Sequence, residues 1–247
     1  MLDRIYNQMQ AMQVMARSQD VTADNLANIN TPGFKGNKVF YHMFKENVNG
    51  NEIVKSVPQT QVDLSQGILE PTGNAFDVAL NGDGFFMVEV DGQEKLTRDG
   101  RFQLDQDGFL VNSSGAKVQG ESGPIQLAEL FQAQNADNAG TPMLEISKEG
   151  NILLNGKTQD KLKIVKVEDS TDLVRHGNSY FSVKDEIELS EEGTGMVMQG
   201  FFEKGNVQPL NEMVDMMRTM QMFETQQKAL KTTDDMLGQA TSRIGRL

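Results

Sequence analysis

The side chains best suited to catalysis are few, and they lack partners at useful spacings. The sequence has no cysteine and two histidines, His42 and His176, in unrelated polar contexts. A metal or general acid–base site needs partner groups at defined positions. A β-fold hydrolase would have to use the carboxylates of Asp77, Asp83 and Asp99, but carboxylates are normal in turns. We therefore predict no enzyme, no cofactor and no metal site, and keep a β-fold enzyme as a remote alternative.

Two glycine-rich segments resemble ligand loops only in part. Asp105-Gln106-Asp107-Gly108 has the start of a calcium-binding loop, but Ser114 stands where the bidentate glutamate is required. Asn81-Gly82-Asp83-Gly84 lacks the Lys-Ser/Thr ending of a phosphate loop. Both segments are better interpreted as turns between strands.

Charge and composition exclude several classes of partner. The net charge is −12, and residues 46–204 carry −14 of it, because residues 1–45 sum to +2 and residues 205–247 to zero. An acidic middle argues against nucleic acid. No run of 18 apolar residues predicts a membrane span, and the N-terminus has no apolar core of a cleaved signal peptide. A carbohydrate-binding module would display aromatic side chains, yet the chain has no tryptophan and only Tyr6, Tyr41 and Tyr180.

The elements that organise the chain are two terminal helices. In the first, apolar residues alternate steps of three and four, as in the seam of a coiled coil. The predicted seam consists of Leu2, Ile5, Met9, Met12 and Leu26, with Ala16 and Ala23 between them. A second seam is predicted near the other end, through Met213, Met220, Phe223, Leu230, Leu237 and Ile244. A narrow seam needs a partner helix, and each helix is a candidate partner for the other.

A compact turn is predicted where the first helix ends, near Asn28. Asparagines at 25, 28 and 30 favour termination of the helix, since they compete for backbone hydrogen bonds. In Thr31-Pro32-Gly33-Phe34, Pro32 presets the first corner, Gly33 takes the positive φ, and Phe34 can fold back as an apolar anchor. At the other end, Asn206 or Asn211 is expected to cap the last helix.

The middle of the chain has a sequence pattern typical of an antiparallel β domain. Short apolar runs recur every 8–12 residues and are separated by turns such as Asp91-Gly92 and Asn155-Gly156. Residues 161–168 alternate, with Leu162, Ile164 and Val167 expected to point inward. We therefore predict an α+β fold in three parts: residues 1–66 (helix, turn and extended connector), 67–204 (β domain) and 205–247 (last helix).

Four motifs resemble the signatures of flagellar basal-body rod and hook proteins. The first is Asn25-Leu26-Ala27-Asn28-Ile29-Asn30-Thr31-Pro32-Gly33-Phe34-Lys35, and the second runs from Thr72 to Phe86. The third is Thr97-Arg98-Asp99-Gly100-Arg101-Phe102, followed by Asp107-Gly108-Phe109-Leu110. The last is Gly205-Asn206-Val207 and the helix after it. Leu96 and Gly205 depart from the tyrosine and serine usual in the family.

The resemblance implies a structural subunit of the axial rod in the flagellar basal body. Such proteins leave the cell through the flagellar type III export apparatus with an uncleaved signal. They polymerise with copies of themselves and other rod proteins across the periplasm, and they pass torque from motor to hook. Their terminal helices pair as an inner coiled coil, with a β domain outside.

The short chain and the Ile5-Tyr6 opening favour a proximal-rod member over a distal-rod or hook-type member. On this interpretation Leu26→Asp or Phe34→Ala would block assembly and leave the β domain folded.

Overall fold

The computed structural model describes residues 2–48, 51–127, 143–177, 179–184, 189–190 and 195–244. Within them the fold is α+β, with a helix near each end and antiparallel strands between, as predicted. The chain forms two compact units. One, the helical unit, contains Met1–Ala27, Asn37–Gln61 and Gln208–Leu247. The other, the β unit, contains Asn28–Gly36 and Val62–Val207.

The helical unit contains helix α1, Leu2–Ala27, and helix α2, Pro209–Ile244, which contact each other. α1 ends within one residue of the predicted position. α2 begins at a proline, which lacks the N–H that a first helical residue would leave unsatisfied. The prediction that Asn206 or Asn211 caps α2 is wrong. Asn206 lies outside the helix and Asn211 inside it, where its side chain donates to Gln208 Oε1 at 2.6 Å.

The segment predicted as an extended connector forms regular structure. Strands β1 (Asn37–Val48) and β2 (Asn51–Val62) pair in a two-stranded sheet. Polar and apolar residues alternate only weakly in the sequence of β1 and β2, so the sequence does not indicate that one face of these strands is buried. Among the described residues, no helix is long and apolar enough to cross a membrane.

The β unit is built on a nine-stranded antiparallel sheet. Its main order is β15-β16-β6-β5-β9-β8-β7, with β10 paired to β9 and β14 to β5. Smaller sheets pair β11-β12-β13, β17 with β4, and β18 with β3. The strands are β3 (Leu69–Pro71), β4 (Val78–Asn81), β5 (Phe85–Val90), β6 (Gln93–Thr97), β7 (Phe102–Leu104), β8 (Leu110–Asn112), β9 (Lys117–Gly120), β10 (Gly123–Pro124), β11 (Leu144–Ile146), β12 (Asn151–Leu154), β13 (Lys157–Lys161), β14 (Ile164–Val165), β15 (Leu173–His176), β16 (Tyr180–Val183), β17 (Met196–Gln199) and β18 (Phe201–Glu203).

Most predicted strands are present, with three corrections. The alternating segment 161–168 is not one strand, since β13 ends at Lys161 and β14 contains only two residues. β15 was not predicted, because its four residues Leu173–His176 alternate too briefly to be recognised. The apolar run 196–202, whose sequence predicts one strand, is split at Gly200, whose φ of +79° breaks the extended backbone. Residues 128–140 are rich in alanine, glutamine and asparagine, which predicts a short helix or a loop, and they lie outside the described residues.

Two buried apolar clusters stabilise the β unit. The larger contains Phe86 and Phe102, whose rings meet edge to face at 5.4 Å between centroids. The smaller contains Phe85 and Phe181, edge to face at 5.6 Å. Leu162, Ile164 and Val167 are all buried, as their alternation predicts. The β unit therefore has a hydrophobic core of its own, and the turn Thr31-Pro32-Gly33-Phe34 belongs to the same unit.

Candidate functional site

The turn after α1 belongs to the β unit and has the predicted geometry. Phe34 N donates to Thr31 O at 3.2 Å, and Gly33 has a φ of +67°. Gly33 also fits where no side chain could, because an added Cβ would lie 2.3 Å from Asp99 N. Gly33 N donates to Glu203 O at 2.7 Å. The turn is thus seated on the backbone of residues 98–99 and of β18.

Phe34 anchors the turn by burial beside a cation. Its ring is buried and lies 4.7 Å from the guanidinium carbon of Arg175, which is also 4.9 Å from the Phe181 ring. Arg175 donates to the carbonyl of Lys35. Removing a buried phenylalanine costs about 3–5 kcal/mol. Because the Phe34 side chain is buried in the β unit, we expect Phe34→Ala to weaken the β domain as well as assembly, and whether that domain stays folded is a prediction for circular dichroism of the variant.

A buried ion triad joins the turn to the sheet. Lys35 Nζ donates to Glu203 Oε1 at 2.8 Å and to Ser65 O at 2.7 Å. Glu203 Oε2 accepts from Arg98 Nη1 at 3.0 Å, and Glu203 Oε1 also accepts from Gly67 N at 2.8 Å. All three charged side chains are buried. One carboxylate therefore pairs with two cations from segments far apart in sequence.

The electrostatics of the triad depend on Glu203. Burial lowers the pKa of Lys35, Glu203 opposes that shift, and the neighbouring Arg98 lowers the pKa further. Burial likewise lowers the pKa of Arg98, and Glu203 again opposes the shift. Sequence reasoning placed Arg98 in a family motif without a role and missed Glu203, which has no local signal.

Asn206 ties three chain segments together. Its Oδ1 accepts from Gly36 N at 2.7 Å, and its Nδ2 donates to Asp63 O at 2.8 Å and to Ser65 O at 3.0 Å. These bonds explain why it does not cap α2. The chain just after the turn and the chain just before α2 are thus held in the same unit.

Asn25 performs a similar role in the helical unit. It is buried, and its Oδ1 accepts from Asn37 N at 2.8 Å while its Nδ2 donates to Asn37 O at 2.9 Å. Its Nδ2 also lies 3.3 Å from Glu212 Oε1. The end of α1, the start of β1 and the start of α2 therefore meet at one amide side chain.

The two helices run antiparallel. Asn25, near the end of α1, meets Glu212 near the start of α2. Met15 shares a groove of about 470 Å³ with Met222 and Gln226, further along α2. Apart from Val214, the half-buried residues described in α2 follow steps of four and three: Glu212, Met216, Thr219, Phe223, Gln226, Leu230 and Thr233.

The predicted seam residues whose side chains are described differ in solvent exposure in the single chain. Met9, Met213 and Met220 are exposed, whereas Met12, Leu26, Phe223 and Leu230 are half-buried. The side chains of Leu2, Ile5, Leu237 and Ile244 lie outside the part of the chain that the structure describes. In the predicted turn, Asn28 and Thr31 hydrogen-bond through their backbones at 2.9 Å, and Pro32 is half-buried.

The carboxylates of the alternative enzyme are engaged in structural contacts. Asp99 holds Arg101 through two oxygens at 3.0 and 2.9 Å, Asp77 accepts from Asn74 at 3.1 Å, and Asp83 pairs with Lys166 at 3.2 Å. Asp105 caps its turn by accepting from the N–H groups of residues 107 and 109. Across the described residues, no group of three His, Asp or Glu is arranged to hold a metal ion.

We expect Glu203→Gln to destabilise the β unit by about 3–5 kcal/mol, because it removes the only carboxylate that forms an ion pair with these two buried cations among the described residues. Urea unfolding followed by circular dichroism measures the change. Glu70→Gln is the matched control: Glu70 pairs with Lys204 nearby, but both side chains are about half exposed to solvent, so the expected cost is about 0–1 kcal/mol. Equal effects of the two substitutions would contradict the role of the triad.

Glu212 makes pairing of the helices depend on pH. Partial burial raises its pKa, Asp215 raises it further, Asn25 opposes the shift, and Lys38 opposes it weakly. A carboxyl group with a raised pKa in the folded state penalises folding when ionised. The helical unit should therefore gain stability as pH falls from neutral toward the ordinary pKa of glutamate, about 4.3.

Thermal melting of the helical signal at pH 7 and pH 5 tests this expectation. Glu212→Gln should be more stable than the wild type at pH 7 and should lose part of the pH dependence. Glu224→Gln, on an exposed position of α2, should behave as the wild type. A wild-type pH profile in the Glu212→Gln protein would contradict the assignment.

Three family models match successive parts of the chain. One described as flagella basal body rod protein matches residues 5–35, which include α1 and the turn. A second, the D1 domain of the flagellar hook proteins FlgE/F/G, matches residues 79–154. A third, the C-terminal part of the flagellar basal body rod proteins FlgEFG, matches residues 198–243. The matches include Lys35, Arg98 and Glu203, the members of the buried triad.

Curated relatives match nearly the whole chain. The flagellar basal-body rod protein FlgF of Escherichia coli is 32% identical over 258 residues, which cover 97% of each chain. FlgF of Caulobacter vibrioides is 26% identical over 98% of each chain. FlgG of Buchnera aphidicola from Acyrthosiphon pisum is 28% identical over 89% of this chain and 91% of its own. The chain therefore belongs to the flagellar basal-body rod protein family, and it is a structural subunit of the flagellar rod rather than an enzyme.

Proposed function

We propose that this chain is a proximal-rod subunit, which polymerises with copies of itself and other rod proteins into the shaft that carries torque from motor to hook. Membership of the family supports a place in the rod. We take an FlgF-like subunit as proximal and an FlgG-like subunit as distal, and the greater share of this chain covered by the FlgF relatives supports the proximal position. The FlgF relatives from Escherichia coli and Caulobacter cover 97–98% of this chain, whereas FlgG of Buchnera covers 89%. A distal-rod position is the alternative.

One observation carries the assembly proposal: α2 exposes a stripe of large apolar residues. Leu210, Met213, Met217 and Met220 recur at steps of three and four, so they lie along one face of the helix. The half-buried residues that include Met216 and Phe223 lie on the other side. An exposed apolar face of this kind marks an interaction site, and we assign it to a terminal helix of a neighbouring rod subunit.

The terminal helices together form the inner, coiled-coil part of the assembly. The seam residues Leu2, Ile5, Met9, Met12, Leu26, Met213, Met220, Phe223, Leu230, Leu237 and Ile244 serve either the pairing of α1 with α2 or contacts with neighbours. Polar residues such as Thr219 and Gln226 alternate with apolar ones on the half-buried face of α2. Because about half of the residues on this face are polar, the pairing of α1 with α2 in one subunit is only weakly stabilising. Burial against neighbouring subunits supplies the rest of the stabilisation.

We propose residues 67–204 as the β domain of the subunit. In the motif from Asn25 to Lys35, Asn25 holds the end of α1 within the helical unit, and Phe34 and Lys35 are anchored within the β unit. Residues 1–66 and 205–247 would then form the two halves of the inner assembly domain. The acidic middle of the chain keeps free subunits soluble by mutual repulsion.

The route and location follow from the same proposal. The subunit is exported through the flagellar type III export apparatus without cleavage of a signal peptide, and it occupies the periplasmic part of the rod. Binding to nucleic acid, insertion into a membrane and a small-molecule substrate have no part in this role.

We expect Met217→Asp to block assembly, because it places a charge in the centre of the exposed stripe. Cells that lack their own copy and express this variant should be non-motile, with no complete rods in electron micrographs of isolated basal bodies. Met217→Leu keeps an apolar side chain of similar volume and should support motility. Circular dichroism of both purified proteins checks that the β unit is folded. Normal rods built from the Met217→Asp protein would refute the role of the stripe.

A further inference from the structure

The exposed stripe of α2 consists mainly of an oxidisable residue. Met213, Met217 and Met220 are 48%, 55% and 45% exposed, whereas Met87 in the sheet core is 2% exposed. The chain contains no cysteine and no tryptophan, the other side chains that oxidants attack readily. In the free subunit, these three thioethers are therefore open targets for a peroxide.

The reaction needs only the protein and hydrogen peroxide. A sulfur lone pair attacks one peroxide oxygen, the O–O bond breaks, and an S–O bond forms. The sulfide is oxidised by two electrons to a sulfoxide, while the peroxide is reduced and its second oxygen leaves as water after proton transfer. The product is polar and chiral where the thioether was apolar and flexible.

We propose that Met213, Met217 and Met220 form an oxidation-sensitive site that controls whether a free subunit can enter the rod. The inference rests on the proposed assembly role of this stripe. Sulfoxides on one helix face would have to be desolvated against a neighbouring apolar helix, which is unfavourable without new hydrogen-bond partners. A subunit oxidised before assembly is excluded, whereas burial by neighbours protects one that is already assembled.

The first part of the test measures reactivity. The purified full-length chain is treated with hydrogen peroxide, and peptide mass spectrometry follows sulfoxide formation at each methionine. We expect the three stripe residues to react at least about tenfold faster than the buried Met87, since oxidation follows exposure. Oxidation of the stripe no faster than Met87 would overturn the proposal.

The second part measures assembly in cells. A strain without its own copy is induced to express the wild type or the triple variant M213L/M217L/M220L, with and without sublethal peroxide. We expect peroxide to reduce the motile fraction about fivefold with the wild type and less than about twofold with the leucine variant, which cannot form the sulfoxides. Equal losses in the two strains would overturn the inference.

The leucine variant without peroxide separates the two proposals. If it builds rods and both strains respond equally to peroxide, the assembly stripe stands and the oxidation site falls. If it builds no rods although its β unit is folded, the stripe is not a general apolar contact, and both proposals fall together.

Discussion

The contact on which the β unit depends is the carboxylate of Glu203 between two buried cations. Lys35 comes from the turn after α1, Arg98 from the end of β6, and Glu203 from the last strand before α2. Moving such charges out of water is costly, and pairing with Glu203 offsets part of that cost for both cations. The triad is therefore a constraint on folding: the first and last segments of the β unit must come together before the two buried cations meet this carboxylate.

Uncharged contacts around the triad also hold the first and last segments of the β unit together. Gly33 approaches the backbone at Asp99 too closely for any side chain, and Asn206 donates to one segment while accepting from another. Phe34 is packed beside Arg175. The family motif thus has a physical meaning in this chain, because each of its anchoring residues has a partner in the β unit or in the helical unit.

The helical unit has the opposite character. Its two helices meet through a face on which polar and apolar residues alternate, and α2 leaves a stripe of Leu210 and methionines exposed on another side. Glu212 adds a partly buried carboxyl group to the contact with α1. The two helices bury only part of their apolar surface within one chain. Such a helix pair can gain stability by packing against neighbouring chains, as a rod subunit must.

Local signals predicted the elements whose cause is local. Thr31-Pro32-Gly33-Phe34 carries its turn in its own residues, and the end of α1 follows from apolar periodicity and its asparagines. The start of α2 was expected at a cap on Asn206 or Asn211, whereas the helix begins at Pro209. The long strands β1 and β2 were missed because their polar sequence alternates weakly, and β15 because it is short. The triad could not be predicted, since Glu203 meets Lys35 across 168 positions of sequence and only the folded sheet brings them together. For the same reason the seam of α2 was placed through Met213, whereas its neighbour Glu212 is the residue that meets α1.

Hydrogen exchange of the free subunit and of assembled rods shows whether neighbouring subunits stabilise the terminal helices. We expect amides of α1 and α2 to exchange faster than those of β5, β6 and β9 in a dilute monomer and to become strongly protected in the rod. Strong protection of both helices already in the dilute monomer would contradict this expectation, because the helices would then belong to a closed fold that needs no neighbours.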